Sequence, residues 1–127
     1  MQMNYLIHKE PLVAYCTELF HRYGMRPDEA EILSASLVDA DMRGIRSHGV
    51  VRVELYLNQI ATKVLNVNAK LGVIKETPTS IVLDADNGSG QVASYKSVHM
   101  AREKAKNAGR NGFGYDSNGR TGPLQKM

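Results

Sequence analysis

The sequence predicts an α+β chain: an N-terminal helical bundle, then a short β-hairpin, then one further helix. Three observations carry this. Apolar side chains recur at helical spacing up to about residue 62, interrupted at Gly24 and Gly44. Two short runs of strand-forming residues flank Pro78. Beyond Gly90 helical spacing resumes and reaches Asn107-Ala108-Gly109.

The first helix is predicted from about Pro11 to Tyr23. Leu12, Val13, Cys16, Leu19, Phe20 and Tyr23 fall on one stripe, and proline suits a first helical position. Gly24 is placed to cap its end. A second helix starts near Pro27, where Asp28, Glu29 and Glu31 complement the positive end of the helix dipole. Ile32, Leu33, Ala35, Leu37, Val38 and Met42 form its apolar side, and Gly44 ends it. A third helix is predicted over roughly 48–62, capped by the hydroxyl of Ser47, with Val50, Val53, Leu57 and Ile60 on one side. Gly49 weakens its first turn. Strands are predicted at Leu71–Lys75 and Ser80–Asp84, joined around Pro78. The fourth helix, from about Gly90, presents Val92, Tyr95, Val98, His99, Ala101 and Ala105 on one face.

After residue 109 the composition changes. Residues 110–127 hold four glycines, with Phe113, Tyr115 and Leu124 as isolated large side chains, and are expected to form an irregular or disordered tail. Two segments follow: a structured part at 1–109 and a tail at 110–127.

A chain of 127 residues with 43% apolar and 23% charged residues suits a folded domain with a modest core. No apolar run approaches a membrane span, and the N-terminus lacks a secretory pattern, so a cytoplasmic location and no membrane partner are expected. The single cysteine, Cys16, excludes an internal disulfide and lies on the apolar stripe of the first helix, where it reads as a small buried thiol. His8, His21 and His99 lack metal-ligand spacing, so no metal site is predicted. The net charge of +3 is uneven: residues 1–95 sum to −2 and residues 96–127 to +5. The basic character therefore belongs to the C-terminal end, not to a nucleic-acid-binding face.

The stretch Asp41-Met42-Arg43-Gly44-Ile45-Arg46-Ser47-His48-Gly49-Val50-Val51-Arg52 concentrates the chemistry. A helix starting at Ser47 would set His48 and Arg52 one turn apart on one face. His48 can give or take a proton near neutral pH. Arg52 can grip a carboxylate through two parallel hydrogen bonds. Together they suit a 2-hydroxy or 2-oxo acid. Ser47 fits a substrate contact and a helix cap alike, with capping the simpler role. Arg43 and Arg46 are either solvated or draw anions toward the cleft.

Gly88-Ser89-Gly90-Gln91-Val92-Ala93 spells G-x-G-x-x-A, a Rossmann dinucleotide fingerprint. Asp84-Ala85-Asp86-Asn87 separates it from the preceding strand, and two carboxylates there would repel a pyrophosphate. A loop leading into a helix is the better reading, and the fold is expected to be non-Rossmann.

Residues 39–56 resemble the N-terminal signature of the malate/L-lactate dehydrogenase family, through Asp41, Arg43-Gly44-Ile45, Ser47-His48-Gly49, Arg52 and Tyr56. A second block, Leu83-Asp84-Ala85-Asp86-Asn87-Gly88 with Gly90-Gln91-Val92-Ala93, resembles the same family at the corresponding distance. Arg52-Val53-Glu54 with Tyr56 is most similar to the ureidoglycolate type. The resemblance implies a non-Rossmann oxidoreductase that uses NAD or NADP on 2-hydroxy or 2-oxo acids such as malate, lactate or ureidoglycolate. By the same resemblance His48 is the catalytic acid/base, Arg52 binds the substrate carboxylate, Ser47 lines the cleft, and the enzyme is a homodimer. The match covers the N-terminal third of a family member, an incomplete domain. Ser117-Asn118-Gly119-Arg120-Thr121-Gly122-Pro123-Leu124 looks like a blurred copy of a later family motif and lacks its histidine.

The chain is thus expected to be a truncated family member, inactive alone. Two other functions are weighed beside it. One is a non-catalytic interaction fragment that associates through exposed apolar faces. The other is a nucleic-acid-binding helix-turn-helix over residues 11–43, which Asp28, Glu29 and Glu31 oppose by placing negative charge beside phosphates.

Overall fold

The computed structural model describes residues 4–108, 113–115 and 121–123. The chain divides between Asn68 and Ala69 into two compact units.

The first unit is helical. Helix α1 spans Lys9–Arg22 and α2 spans Pro27–Met42, and the two pack on each other. Their contact follows from spacing. Cys16 and Phe20 of α1 lie four apart, and Ala30, Leu33, Ser34, Leu37 and Val38 of α2 recur at i, i+3, i+4, i+7 and i+8. All seven are buried, and burying a Leu- or Phe-sized side chain contributes about 1.5–3 kcal/mol. The Ser34 hydroxyl is enclosed and has no hydrogen-bond partner among the described residues. Glu29, buried, is held by Arg26 at 3.2 Å.

Both helices end in the same way. Gly24, at φ +106°, sends its N–H to His21 O at 2.9 Å while Met25 N–H reaches Phe20 O at 3.1 Å. Gly44, at φ +78°, repeats this with Asp41 O at 3.0 Å and Ile45 N–H to Ala40 O at 2.9 Å. These are Schellman closures, in which a left-handed residue lets the last carbonyls find donors. Helix α3, Val53–Ala61, closes likewise through Lys63 at φ 60°, with Lys63 N–H on Ile60 O at 3.0 Å and Val64 N–H on Gln59 O at 2.9 Å.

The predicted third helix is shorter at its start than expected. Instead of an α-helix from residue 48, two 3₁₀ turns, Arg46–His48 and Val50–Arg52, precede α3. Gly49 between them is extended, at φ −92° and ψ −152°, which breaks any continuous helix. Ser47 makes no N-terminal cap.

In the second unit β1 (Gly72–Thr77) pairs antiparallel with β2 (Ser80–Asp84), with a bulge between Val73 and Lys75. At the hairpin tip the Thr77 and Ser80 hydroxyls share a hydrogen bond of 2.6 Å. Helix α4 runs Gly90–Ala108. Lys104, with its side chain 15% exposed, ties α4 to the hairpin by donating to Thr77 O at 2.9 Å and pairing with Glu76 at 2.5 Å. In the segment expected to be an irregular tail, β3 (Phe113–Tyr115) and β4 (Thr121–Pro123) pair antiparallel. The rest of that tail, including most of the motif-like stretch from Ser117, lies outside the described residues. The architecture is α+β, with antiparallel pairs and no parallel sheet among the described residues, as the sequence predicted.

Candidate functional site

Helix α2 delivers the chain to the site. Its Gly44 closure turns the backbone, and the two 3₁₀ turns then fold residues 46–52 over the end of α2. Asp41, in the last turn of α2, reaches forward nine residues, and its Oδ2 accepts the Val50 N–H at 2.8 Å. Gly49 is buried against that carboxylate, and a Cβ at position 49 would overlap Asp41. The φ of Gly49 is one that any residue adopts, so the constraint is one of space: a side chain here would have to displace the Asp41 carboxylate.

The three residues singled out from the sequence are neighbours, although not by the expected geometry. His48 and Arg52 do not lie on one turn of a continuous α-helix, because the extended Gly49 separates them. Ser47 brings them together instead. Its hydroxyl meets His48 Nδ1 at 2.8 Å, and its backbone carbonyl accepts the Arg52 Nε–H at 2.7 Å. Ser47 and His48 are exposed and Arg52 is half-buried. Among the described residues neither His48 Nε2 nor the two Nη groups of Arg52 meet a protein partner. The arrangement leaves one imidazole nitrogen and the outer guanidinium fork open to a ligand. Two tautomers satisfy the Ser47–His48 bond: the hydroxyl donates to a bare Nδ1, or Nδ1–H donates to Oγ and leaves Nε2 as an acceptor.

The surroundings separate site from scaffold. Arg43 is held by Asp39 of the preceding turn at 2.8 Å, whereas Arg46 is exposed. Exposed apolar residues, Met42, Ile45, Val51 and Leu55, flank the turn in sequence. Cys16 is buried, and burial together with the negative charge of Asp41 pushes its thiol pKa up, which makes it a poor nucleophile. Among the described residues no group of three His, Cys, Asp or Glu side chains could hold a metal ion. Nor is any helix among them long and apolar enough to cross a membrane. Sequence reasoning had named Asp41 only as part of a motif. Its hold on Val50 spans nine residues and matches no local capping pattern.

The glycine loop of the second unit does not fit a dinucleotide pyrophosphate. Its turn is already satisfied internally: Gly88 N–H bonds Ala85 O at 2.9 Å, and Asp84 Oδ1 accepts Asp86 N–H at 2.9 Å. Asp86 Oδ2 accepts Lys70 N–H at 3.2 Å. At the start of α4 the buried Ser89 takes Val92 N–H through its hydroxyl at 3.4 Å and Ala93 N–H through its carbonyl at 2.9 Å. The amides of Asp86, Gly88, Val92 and Ala93 are thus engaged, and the carboxylates of Asp84 and Asp86 stand in the same loop, where they oppose an anion.

Comparison with known proteins gives a consistent picture. The sequence profile described as malate/L-lactate dehydrogenase matches residues 7–118. The malate dehydrogenase of Pyrococcus horikoshii is 36% identical over 107 residues, which are 84% of this chain and 30% of that protein. The ureidoglycolate dehydrogenase (NAD(+)) of Escherichia coli is 35% identical over 101 residues, 80% of this chain and 29% of that protein. The solved sulfolactate dehydrogenase of Methanocaldococcus jannaschii superposes with a TM-score of 0.78 at 30% identity, covering 83% of this chain and 30% of that one. The chain spans about 30% of the length of these relatives. The resemblance seen in residues 39–56 and 83–93 is borne out.

Proposed function

We propose, since the chain belongs to the malate/L-lactate dehydrogenase family, that it carries the acid-binding and proton-handling part of an oxidoreductase acting on 2-hydroxy or 2-oxo acids. One observation supports this most: Ser47 joins the imidazole of His48 and the guanidinium of Arg52 through its hydroxyl and its carbonyl.

In this reading the outer fork of Arg52 binds the substrate carboxylate through two charge-assisted hydrogen bonds. Its Nε–H, fixed on Ser47 O, sets the plane of that fork. His48 with Nδ1–H donating to Ser47 Oγ presents Nε2 to the hydroxyl on the carbon next to the carboxylate. As that carbon is oxidised, Nε2 takes the hydroxyl proton. The resulting imidazolium keeps its Nδ1–H on Oγ, so the bond to Ser47 persists in both charge states. In the reverse direction the same Nε2–H returns the proton to the 2-oxo oxygen. A positioned acid/base of this kind contributes about 10²–10⁴-fold in rate.

The hydride acceptor is proposed to be NAD, named for the ureidoglycolate relative, or NADP. Because the chain spans about 30% of these relatives' length, the proposal includes that it does not turn over alone. Titration of the isotope-labelled chain with L-malate tests the proposal. Resonances of Ser47, His48 and Arg52 should shift saturably, and malate should yield no NAD(P)H with either nucleotide. Absence of any shift across residues 46–56 would remove the substrate class, and nucleotide reduction would remove the claim of inactivity.

The exposed Met42, Ile45, Val51 and Leu55 beside the turn favour a second role, association with another copy of this chain. Sedimentation equilibrium decides it: a monomer at all concentrations would rule it out.

A further inference from the structure

Three features of the turn point to a residue with no role in the reaction as proposed above. Asp41 Oδ2 holds Val50 N–H at 2.8 Å. The neighbouring Gly49 is buried and leaves no room for a Cβ because the Asp41 carboxylate occupies that space. Gly49 and Val50 sit between His48 and Arg52, and Arg52 N–H is itself bonded to Gly49 O at 3.0 Å. From these we infer that Asp41 is a positioning residue: its carboxylate, anchored in the last turn of α2, clamps the Gly49–Val50 backbone and thereby sets the imidazole and the guanidinium relative to each other.

The physical need for such a clamp is plain. Residues 46–52 form two single 3₁₀ turns joined by an extended glycine. Short 3₁₀ turns have poor hydrogen-bond geometry and little stability of their own. Held only by their internal bonds, they would let His48 and Arg52 move independently, and misplacement by about 1 Å costs on the order of 10²-fold in reactivity. A charged acceptor makes a stronger bond to a backbone N–H than a neutral one does. The carboxylate serves the backbone and not the ligand, which it would repel if it faced a substrate acid.

This inference rests on the proposed site only for its ligand readout. The test uses the full isotope-labelled chain and its variants Asp41→Ala, Asp41→Asn and Gly49→Ala. Three signals are followed: the Val50 amide shift, the ring-nitrogen shifts of His48, and the dissociation constant for L-malate. In Asp41→Ala the Val50 amide should leave its hydrogen-bonded position. The His48 ring should move toward the pattern of an unrestrained imidazole, and malate binding should weaken about tenfold, a loss of about 1.4 kcal/mol. Gly49→Ala should reproduce all three changes with Asp41 present, because its methyl displaces the carboxylate. Asp41→Asn, the variant least disturbing to folding, should move Val50 and the His48 ring in the same direction by a smaller amount. Movement of the Val50 amide with an unchanged His48 ring, in whichever variants fold, would overturn the inference. If the wild-type chain takes up no malate, the substrate class falls, while the ring readout still decides the role of Asp41.

Discussion

Arg52 donates its Nε–H to the backbone carbonyl of Ser47 at 2.7 Å, so the guanidinium is anchored by its inner nitrogen and leaves its outer fork available. Lysine cannot do both, because an ammonium offers one point charge in place of a planar fork. Arg52→Lys is therefore expected to weaken L-malate binding about tenfold, and Arg52→Ala further still. Both should cost no more than about 1.5 kcal/mol of stability, the scale of a single partly exposed hydrogen bond. Malate titration and thermal melting of the same samples check the two halves; equal affinity in Arg52→Lys would mean that the fork is not used.

Ser47 contributes through two different atoms, and they can be separated by substitution. Ser47→Ala keeps the carbonyl that holds Arg52 and removes the hydroxyl at His48 Nδ1. The His48 ring-nitrogen shifts should change toward an unrestrained tautomer mixture while Arg52 Nε–H stays in place. Ser47→Thr, which keeps the hydroxyl, should restore the wild-type ring pattern. A ring unaffected by Ser47→Ala would show that the bond has no hold on the tautomer.

How much of this was legible in the sequence depends on the range of the forces involved. The ends of α1 and α2 were, because Gly24 and Gly44 announce local left-handed closures and Pro27 a helix start. The beginning of the third helix was not. Val50 and Val53 are three apart, a spacing that a 3₁₀ turn serves as well as an α-helix. The extended Gly49 breaks the helix, and the Asp41 carboxylate holds Val50 beside it through a contact over nine residues that no periodicity registers. The grouping of Ser47, His48 and Arg52 survived this error, since closeness in sequence brings them together under either backbone. The bulge at Val73/Lys75 and the burial of Glu29 were likewise outcomes of pairing and packing, although the Arg26 partner of Glu29 is a local one, three residues away.

Ser34 sits in the α2 stripe with its hydroxyl enclosed and without a partner among the described residues. An unpaired buried hydroxyl costs roughly 1–3 kcal/mol in desolvation, and alanine has the higher helix propensity. Ser34→Ala should thus raise stability, by about 1 kcal/mol, with the fold unchanged. Urea denaturation provides the measurement. A destabilised variant would mean that the hydroxyl is satisfied in solution.

Lys104 fastens α4 to the hairpin through Thr77 O and Glu76. Replacing it with Met keeps most of the stem but strips both bonds, leaving Thr77 O without that donor. We expect Lys104→Met to cost about 1–3 kcal/mol and Glu76→Gln clearly less, because the Glu76 side chain is more exposed. Hydrogen exchange at β1 amides should accelerate in the first variant. Unchanged exchange there would show that the hairpin is held by other contacts.

Cys16 supplies a pH prediction whose sign can be worked out. Burial chiefly, and the Asp41 charge in addition, raise its thiol pKa above the unfolded value. The folded state therefore binds the thiol proton more tightly than the unfolded state does. This contribution to stability is fully present below the unfolded pKa, about 8.5, and is lost as pH rises through the higher folded value. Stability should accordingly decline on the alkaline side, and Cys16→Ser should flatten part of that decline. Alkylation by iodoacetamide at pH 8 should be far slower in the native chain than in urea, since the reactive thiolate is both scarce and enclosed. Asp41→Asn, which removes the neighbouring negative charge, should speed native alkylation at a given pH. Native labelling as fast as that of the unfolded chain would show that Cys16 is neither buried nor shifted.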